Sequence, residues 1–167
     1  MTSETLRIRP FNDGDLQAAT QVYNHYVAET TVTFQIAPLT TTDFRGQFCH
    51  GAEPHCLLGV ATGGELIGFA GYCSYHPREA YARTASVFVY LDPKCTGSRL
   101  GGPVLAAVED HAKAAGLHAL IALICGENEP SLKHFSRNGY VECGRMRQVG
   151  RKFDRWLDVV YLQRLFD

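Results

Sequence analysis

No stretch of the 167 residues stays apolar for the roughly 18 positions that a bilayer-crossing helix needs, and the opening MTSETLRIRPF holds no apolar run of signal-peptide length. A cytoplasmic location is therefore expected, with no membrane partner. Nor is there a surplus of one charge. Lys+Arg 16 against Asp+Glu 17 leaves a net charge of -1, too even a field to hold a polyphosphate backbone, so nucleic acid is not an expected partner. The cysteines, Cys49, Cys56, Cys73, Cys95, Cys125 and Cys143, include no C-x-x-C pair, and several lie in apolar runs where cysteine behaves as a small hydrophobe, so reduced thiols are expected. Cys49, His50, His55 and Cys56 are all zinc-type ligands. Adjacent Cys-His pairs point their side chains apart, however, and Cys56 opens the apolar run CLLGVA, so this cluster reads as loop and core and no metal is expected.

What remains is an ordinary globular composition, 46% hydrophobic and 20% charged, at a length that fits one domain over residues 1–167. LRIRP (6–10) alternates as a half-exposed strand does, and Asp13 is an expected N-cap for the helix DLQAATQVYNHYV. ETTVTFQIAPLT reads as loop, after which Thr41 or Thr42 is expected to cap a short helix through Phe48. CLLGVAT and ELIGFAGYCSY flank Gly63-Gly64 and predict an antiparallel hairpin, and TASVFVYLDP predicts a further strand. Apolar residues at 100, 104, 105, 108 and 112 predict a helix ended by Gly116, with Pro103 in its first turn. HALIALI, a helix from Pro130 to Asn138-Gly139, YVECGRM and RWLDVVYLQRLF complete the order β-α-α-β-β-β-α-β-α-β-β. This is a mixed α/β chain with an antiparallel first half and one sheet layer flanked by helices.

YLDPKCTGSRLGGPVL joins a strand to a helix through a glycine-containing loop, and the open N–H groups of a first helical turn can cradle phosphate. It is neither a Walker loop nor a dinucleotide fingerprint, for it lacks Gly-Lys-Ser/Thr and G-x-G-x-x-G. The order strand, loop, helix resembles the acetyl-CoA site of the GNAT acyltransferases. VYNHYVAETTVTF (22–34), HPREAYART (76–84), GENEPSLKHFSRNGYVECGRM (126–146) and VGRKFDRWLDVVYLQ (149–163) resemble the phosphinothricin acetyltransferase subgroup, the last being the most specific. The resemblance implies a GNAT acyl-CoA N-acyltransferase fold: a mostly antiparallel sheet with one splayed strand pair and about four flanking helices. It further implies acetyl transfer from acetyl-CoA to the α-amine of a small amino-acid-like substrate, in a homodimer, with Trp156 a candidate buried anchor.

Carried over residue by residue, the resemblance makes Phe88, Val89 and Tyr90 the splayed strand that receives the pantetheine arm. It makes Thr96, Gly97, Ser98, Arg99, Leu100 and Gly101 the pyrophosphate loop, and Asn128 the asparagine near the cofactor. Arg78, in the loop before the central strand, is a candidate partner for a substrate carboxylate beside Tyr81 and Arg83, and Phe34 and Tyr26 are candidate pocket linings. Four residues depart from the family pattern. Thr96 stands first in the loop and Arg99 replaces its middle glycine, where a side chain would either block the pyrophosphate or pair with it. Ser86 stands where a glutamate base is expected, and Phe135 where a tyrosine or histidine would protonate the leaving thiolate. His134 is one residue away but on another face of its helix. No catalytic residue is therefore assigned, and a module that binds an acyl-CoA or another ligand without turnover is the alternative to a positioning-driven enzyme.

Overall fold

The structure, a computed structural model, describes residues 5–95 and 97–166. Strand β1 (Arg7–Pro10) leads into α1 (Leu16–Glu29). The turn between them is capped one residue earlier than Asp13. Asn12 accepts from the Gly14 N–H, and the Asp15 carboxylate returns to the Asn12 N–H, so Asp13–Asp15 forms a single 3-10 turn before the helix. Asp15 is free to do this because Arg9 grips both its oxygens at 2.7 and 2.8 Å, which holds its carboxyl below the usual carboxylate range. The short helix α2 (Thr41–Phe44) starts from Thr40, not Thr41 or Thr42. The Thr40 hydroxyl accepts from the Asp43 N–H, Asp43 closes the reciprocal bond, and the helix runs on as a wider turn to Cys49.

The hairpin of β2 (Cys56–Thr62) and β3 (Glu65–Ser74) turns on Gly63 and Gly64, both at positive φ (56° and 89°), the combination a two-residue type I′ turn requires. Then follow β4 (Thr84–Leu91), α3 (Gly101–Ala114), β5 (Ala119–Cys125), α4 (Glu129–Arg137), β6 (Val141–Lys152) and β7 (Arg155–Leu165). The element order is the one the periodicities predict. One seven-stranded sheet results, ordered β1-β2-β3-β4-β5-β7-β6 and antiparallel except between β4 and β5.

Alternation on the central strands decides what covers each face. Ala70 and Tyr72 of β3, with Ala85 and Val87 of β4, pack with Val104, Leu105 and Val108 of α3 and Phe135 of α4. Phe69 of β3, with Phe88 and Tyr90 of β4, turns the other way onto Ala19, Tyr23 and Val27 of α1 and Phe44 and Phe48. This second cluster is dense in aromatic edge-to-face contacts, with Tyr23 at 5.1 Å from both Phe48 and Tyr90. The C-terminal strands differ, for exposed large apolar side chains concentrate there: Leu123, Val141, Met146, Val149, Trp156 and Leu165.

Candidate acetyl-transfer site

The one parallel pair in the sheet is also the one that fails to stay together. β4 and β5 are in register only at Thr84↔Ala119, Ala85↔Leu120 and Ser86↔Ile121, although both strands continue, β4 to Leu91 and β5 to Cys125. Beyond Ser86 the strands diverge around a narrow groove lined by Val87, Phe88, Val89 and Tyr90 on one side and Ala122, Leu123 and Ile124 on the other. Antiparallel pairing with β3 holds β4 straight through Leu91, so its edge towards β5 presents unladdered peptide groups to the groove. Asn128, Ser131 and Phe135 close the α4 side. Asn128 is placed there because it caps α4, its side chain accepting from the Ser131 N–H at 3.3 Å.

At its far end β4 runs into the loop that opens α3. Asp92 turns the chain, its backbone carbonyl accepting from the Cys95 N–H and its carboxylate from the Lys94 N–H. Gly97 follows at φ 82° and Arg99 at φ 61°. Arg99 thus takes the left-handed conformation that a glycine would hold without strain, and its side chain is exposed. Leu100 gives α3 no side-chain cap, so the first-turn N–H groups stay open, as an anion cradle needs. A Cβ on Gly101 would come within 3.0 Å of the His134 ring, so the glycine lets α4 approach the start of α3. Of the predicted loop, Gly97, Ser98, Arg99, Leu100 and Gly101 are in place; Thr96 lies outside the described residues.

A second pocket, about 250 Å³, adjoins the groove and is lined by Val32, Thr33, Phe34, Tyr90, Leu123, Cys125 and Val159. Val32, Tyr90 and Leu123 line both, so the two spaces meet at these side chains. Tyr90 is wedged among Tyr23, Tyr26 and Phe69, and burial raises its phenol above the ordinary tyrosine range. Tyr26 itself is tied to β4 by a 2.5 Å bond from its hydroxyl to the Leu91 carbonyl and lines neither space. Phe34 is in the pocket, its ring lying directly on Gly150 of β6, where any Cβ would overlap it.

Arg78 and Tyr81 do not join Phe34. They sit in the exposed turn before β4, where Tyr81 packs on His76 (4.9 Å) and Tyr75 (5.7 Å). Ser86 is half-buried at the last paired position of the splay and lines neither the groove nor the pocket. Phe135 is 5% exposed, packs edge-on against Tyr140 at 4.9 Å and supplies only hydrocarbon to the groove. His134 faces Gly101 instead, and its burial lowers its pKa, so the imidazole is neutral near pH 7. Sequence reasoning missed Val32, Thr33, Leu123, Cys125 and Val159. The first two lie in a loop without periodicity; the others stand out only once the splay is known. Among the described residues no group of three His, Cys, Asp or Glu has metal-binding geometry, and no helix is long and apolar enough to cross a membrane.

A splayed parallel pair that hands a backbone groove to an open helix N-terminus is the architecture of an acyl-CoA-dependent N-acyltransferase, and residues 19–140 match the acetyltransferase (GNAT) family, to which this chain belongs. Within it, the chain is 35% identical to the phosphinothricin N-acetyltransferase of Streptomyces coelicolor over 95% of both chains. It is 33% identical to the L-methionine sulfoximine/L-methionine sulfone acetyltransferase of Pseudomonas aeruginosa, covering 93% of this chain and 92% of that one. The crystal structure of a GNAT superfamily phosphinothricin acetyltransferase from Sinorhizobium meliloti in complex with AcCoA superposes with a TM-score of 0.92 at 25% identity, covering 97% of this chain and 89% of that one.

Proposed function

We propose that this chain is an N-acetyltransferase that moves the acetyl group of acetyl-CoA to the amine of a small amino-acid-like substrate of the phosphinothricin or methionine sulfoximine type. The observation that carries the reading is the β4–β5 splay opening into a second pocket at Val32, Tyr90 and Leu123. Acetyl-CoA supplies the activated acetyl as a thioester. The chain supplies the β4 peptide edge for the pantetheine arm, the 97–101 loop and α3 N-terminus for the pyrophosphate, and the 32–34 wall for the amine. In the transfer an N–C bond forms, the C–S bond breaks, and the proton lost by the amine ends on sulfur. Holding both reactants in such a geometry is worth about 7 to 11 kcal/mol of barrier.

Neither Ser86 nor Phe135 takes or gives that proton at neutral pH, so the amine must arrive uncharged. An α-amine is mostly protonated at neutral pH, so activity is weak at pH 7 and rises through pH 8 to 9. A second reading, a module that holds acyl-CoA without turnover, is favoured by Ser86 lying outside both spaces. Thiol release with a panel of amino-acid-like amines over this pH range separates the two: an alkaline rise supports the enzyme, and no release at any pH supports the module.

The chain acts as one domain in the cytoplasm and as a homodimer. The exposed apolar side chains on β5, β6 and β7, with Trp156 61% exposed beneath the Arg151 guanidinium, support a partner on this side. Light scattering at micromolar concentration is expected to give twice the monomer mass.

A further inference from the structure

The wall of the amine pocket is the least regular part of the site. Residues 30–39 have no helix or strand hydrogen bonds, yet Val32, Thr33 and Phe34 must stand still to shape the pocket. On the α1 side, Asn24 both donates to the Leu39 carbonyl and accepts from its N–H at 2.8 Å, and the Tyr23 hydroxyl meets the Thr33 hydroxyl at 2.8 Å. On the other side the ties come from outside the segment. Lys152 donates to the Thr33 carbonyl at 2.8 Å. The Thr31 hydroxyl donates to Glu127 at 2.7 Å, and Glu127 is itself gripped by both terminal nitrogens of Arg155 at 2.8 and 2.9 Å.

These cations reach the segment together because of the β6–β7 turn. Phe153 and Asp154 both adopt positive φ (49° and 58°), and the tight turn sets Lys152 directly opposite Arg155. Lys152 is 5% exposed and, among the described residues, forms no ion pair with a carboxylate. Burial lowers its pKa. A buried ammonium held by carbonyl oxygens costs desolvation that a methionine in its place would avoid, so its return is the directional bond it makes.

We propose that Lys152 and the Glu127–Arg155 pair are positioning residues for the acceptor: they fix the 30–37 wall and thereby set the affinity for the amine, meeting the cofactor groove only at Val32. This rests on the acetyl-transfer reading above. The test uses the full chain with Lys152→Met, Glu127→Gln and Thr31→Val, the last exchanging a hydroxyl for a methyl. Steady-state kinetics in both substrates are read alongside amide hydrogen exchange. Lys152→Met raises the amine KM by about tenfold and Thr31→Val by about threefold, with the acetyl-CoA KM within about twofold of the parent. Exchange quickens at residues 31–36 and not in β4 or α3.

A fall in kcat with both KM values unchanged, or equal rises in both, overturns the proposal. If Lys152→Met does not fold, Thr31→Val and Glu127→Gln decide it by the same amine KM. If the parent itself releases no thiol, the acetyl-transfer reading fails separately, and unchanged exchange at 31–36 in every folded variant overturns the clamp.

Discussion

The groove between β4 and β5 and the positions that would move protons beside it are made of different material. The groove consists of peptide edge, mostly apolar side chains and an uncapped helix start. The proton-handling positions are single side chains, and here they are Ser86 and Phe135. A backbone-built site tolerates substitution because nearly any L-residue supplies the same N–H and C=O, whereas a carboxylate or phenol has no such substitute. The loop makes the point within one residue: Arg99 has lost the glycine identity and kept the glycine conformation, φ 61°. Binding geometry and proton transfer are therefore separable in this chain, and they can be broken separately.

Ser86→Glu should have the largest effect. A carboxylate beside the splay raises the rate at pH 7 by up to about 10²- to 10⁴-fold, flattens the alkaline rise and leaves acetyl-CoA affinity alone, as initial rates and calorimetry will read. Ser86→Ala is expected to resemble the parent. A large loss in that variant would mean that the serine takes part and that proton transfer is not missing after all.

A lesion in the scaffold gives the opposite pattern. Asp15→Asn leaves the site's side chains in place but breaks the Arg9 pair and the reciprocal cap, costing about 2 kcal/mol by denaturant titration, Arg9 being partly solvated. Because Asp15 is lowered chiefly by its bond to Arg9, the stability it contributes is present above the unfolded carboxylate value, about 3.9, and drains as pH falls below it. The parent should lose stability faster than Asp15→Asn in that acid window.

Phe135→Tyr sharpens the comparison from the leaving-group side. A phenol at the groove speeds thiolate departure by about tenfold in kcat, the low end for acid catalysis because the amine remains unassisted. The smallest effect belongs to Arg99→Gly, which relieves a left-handed residue and raises stability by about 1 kcal/mol, roughly 2 to 4 °C in Tm for a chain of this size. Its acetyl-CoA affinity shifts by less than about tenfold, since the side chain is exposed.

How much of this was legible beforehand follows the same division. Gly63-Gly64 announced its hairpin because only residues tolerant of positive φ fit that turn, and the spacing of Val104, Leu105, Val108 and Ala112 announced α3 because burial repeats with the helix. The caps shifted by a residue or two, to Asn12 and Thr40, because several neighbouring residues can cap and the bond made by Asp15 or Asp43 chooses among them. The splay was legible only through family resemblance, since divergence of two strands leaves no periodic trace. Of the 30–37 wall only Phe34 was legible as a pocket lining, and the wall's ties to Glu127, Lys152 and Arg155 were not. They join residues about a hundred positions apart, and a lysine in a strand reads as solvent-facing until the structure buries it.

The central claim is that the groove and loop retain acetyl-CoA binding despite the altered positions, and calorimetric titration of the parent protein with acetyl-CoA tests it most directly. The expected result is saturable binding at one site per chain with a Kd between about 1 μM and 1 mM, the range of ordinary enzyme substrates, little changed in Ser86→Glu and Phe135→Tyr. Absence of any saturable heat at millimolar acetyl-CoA would contradict it.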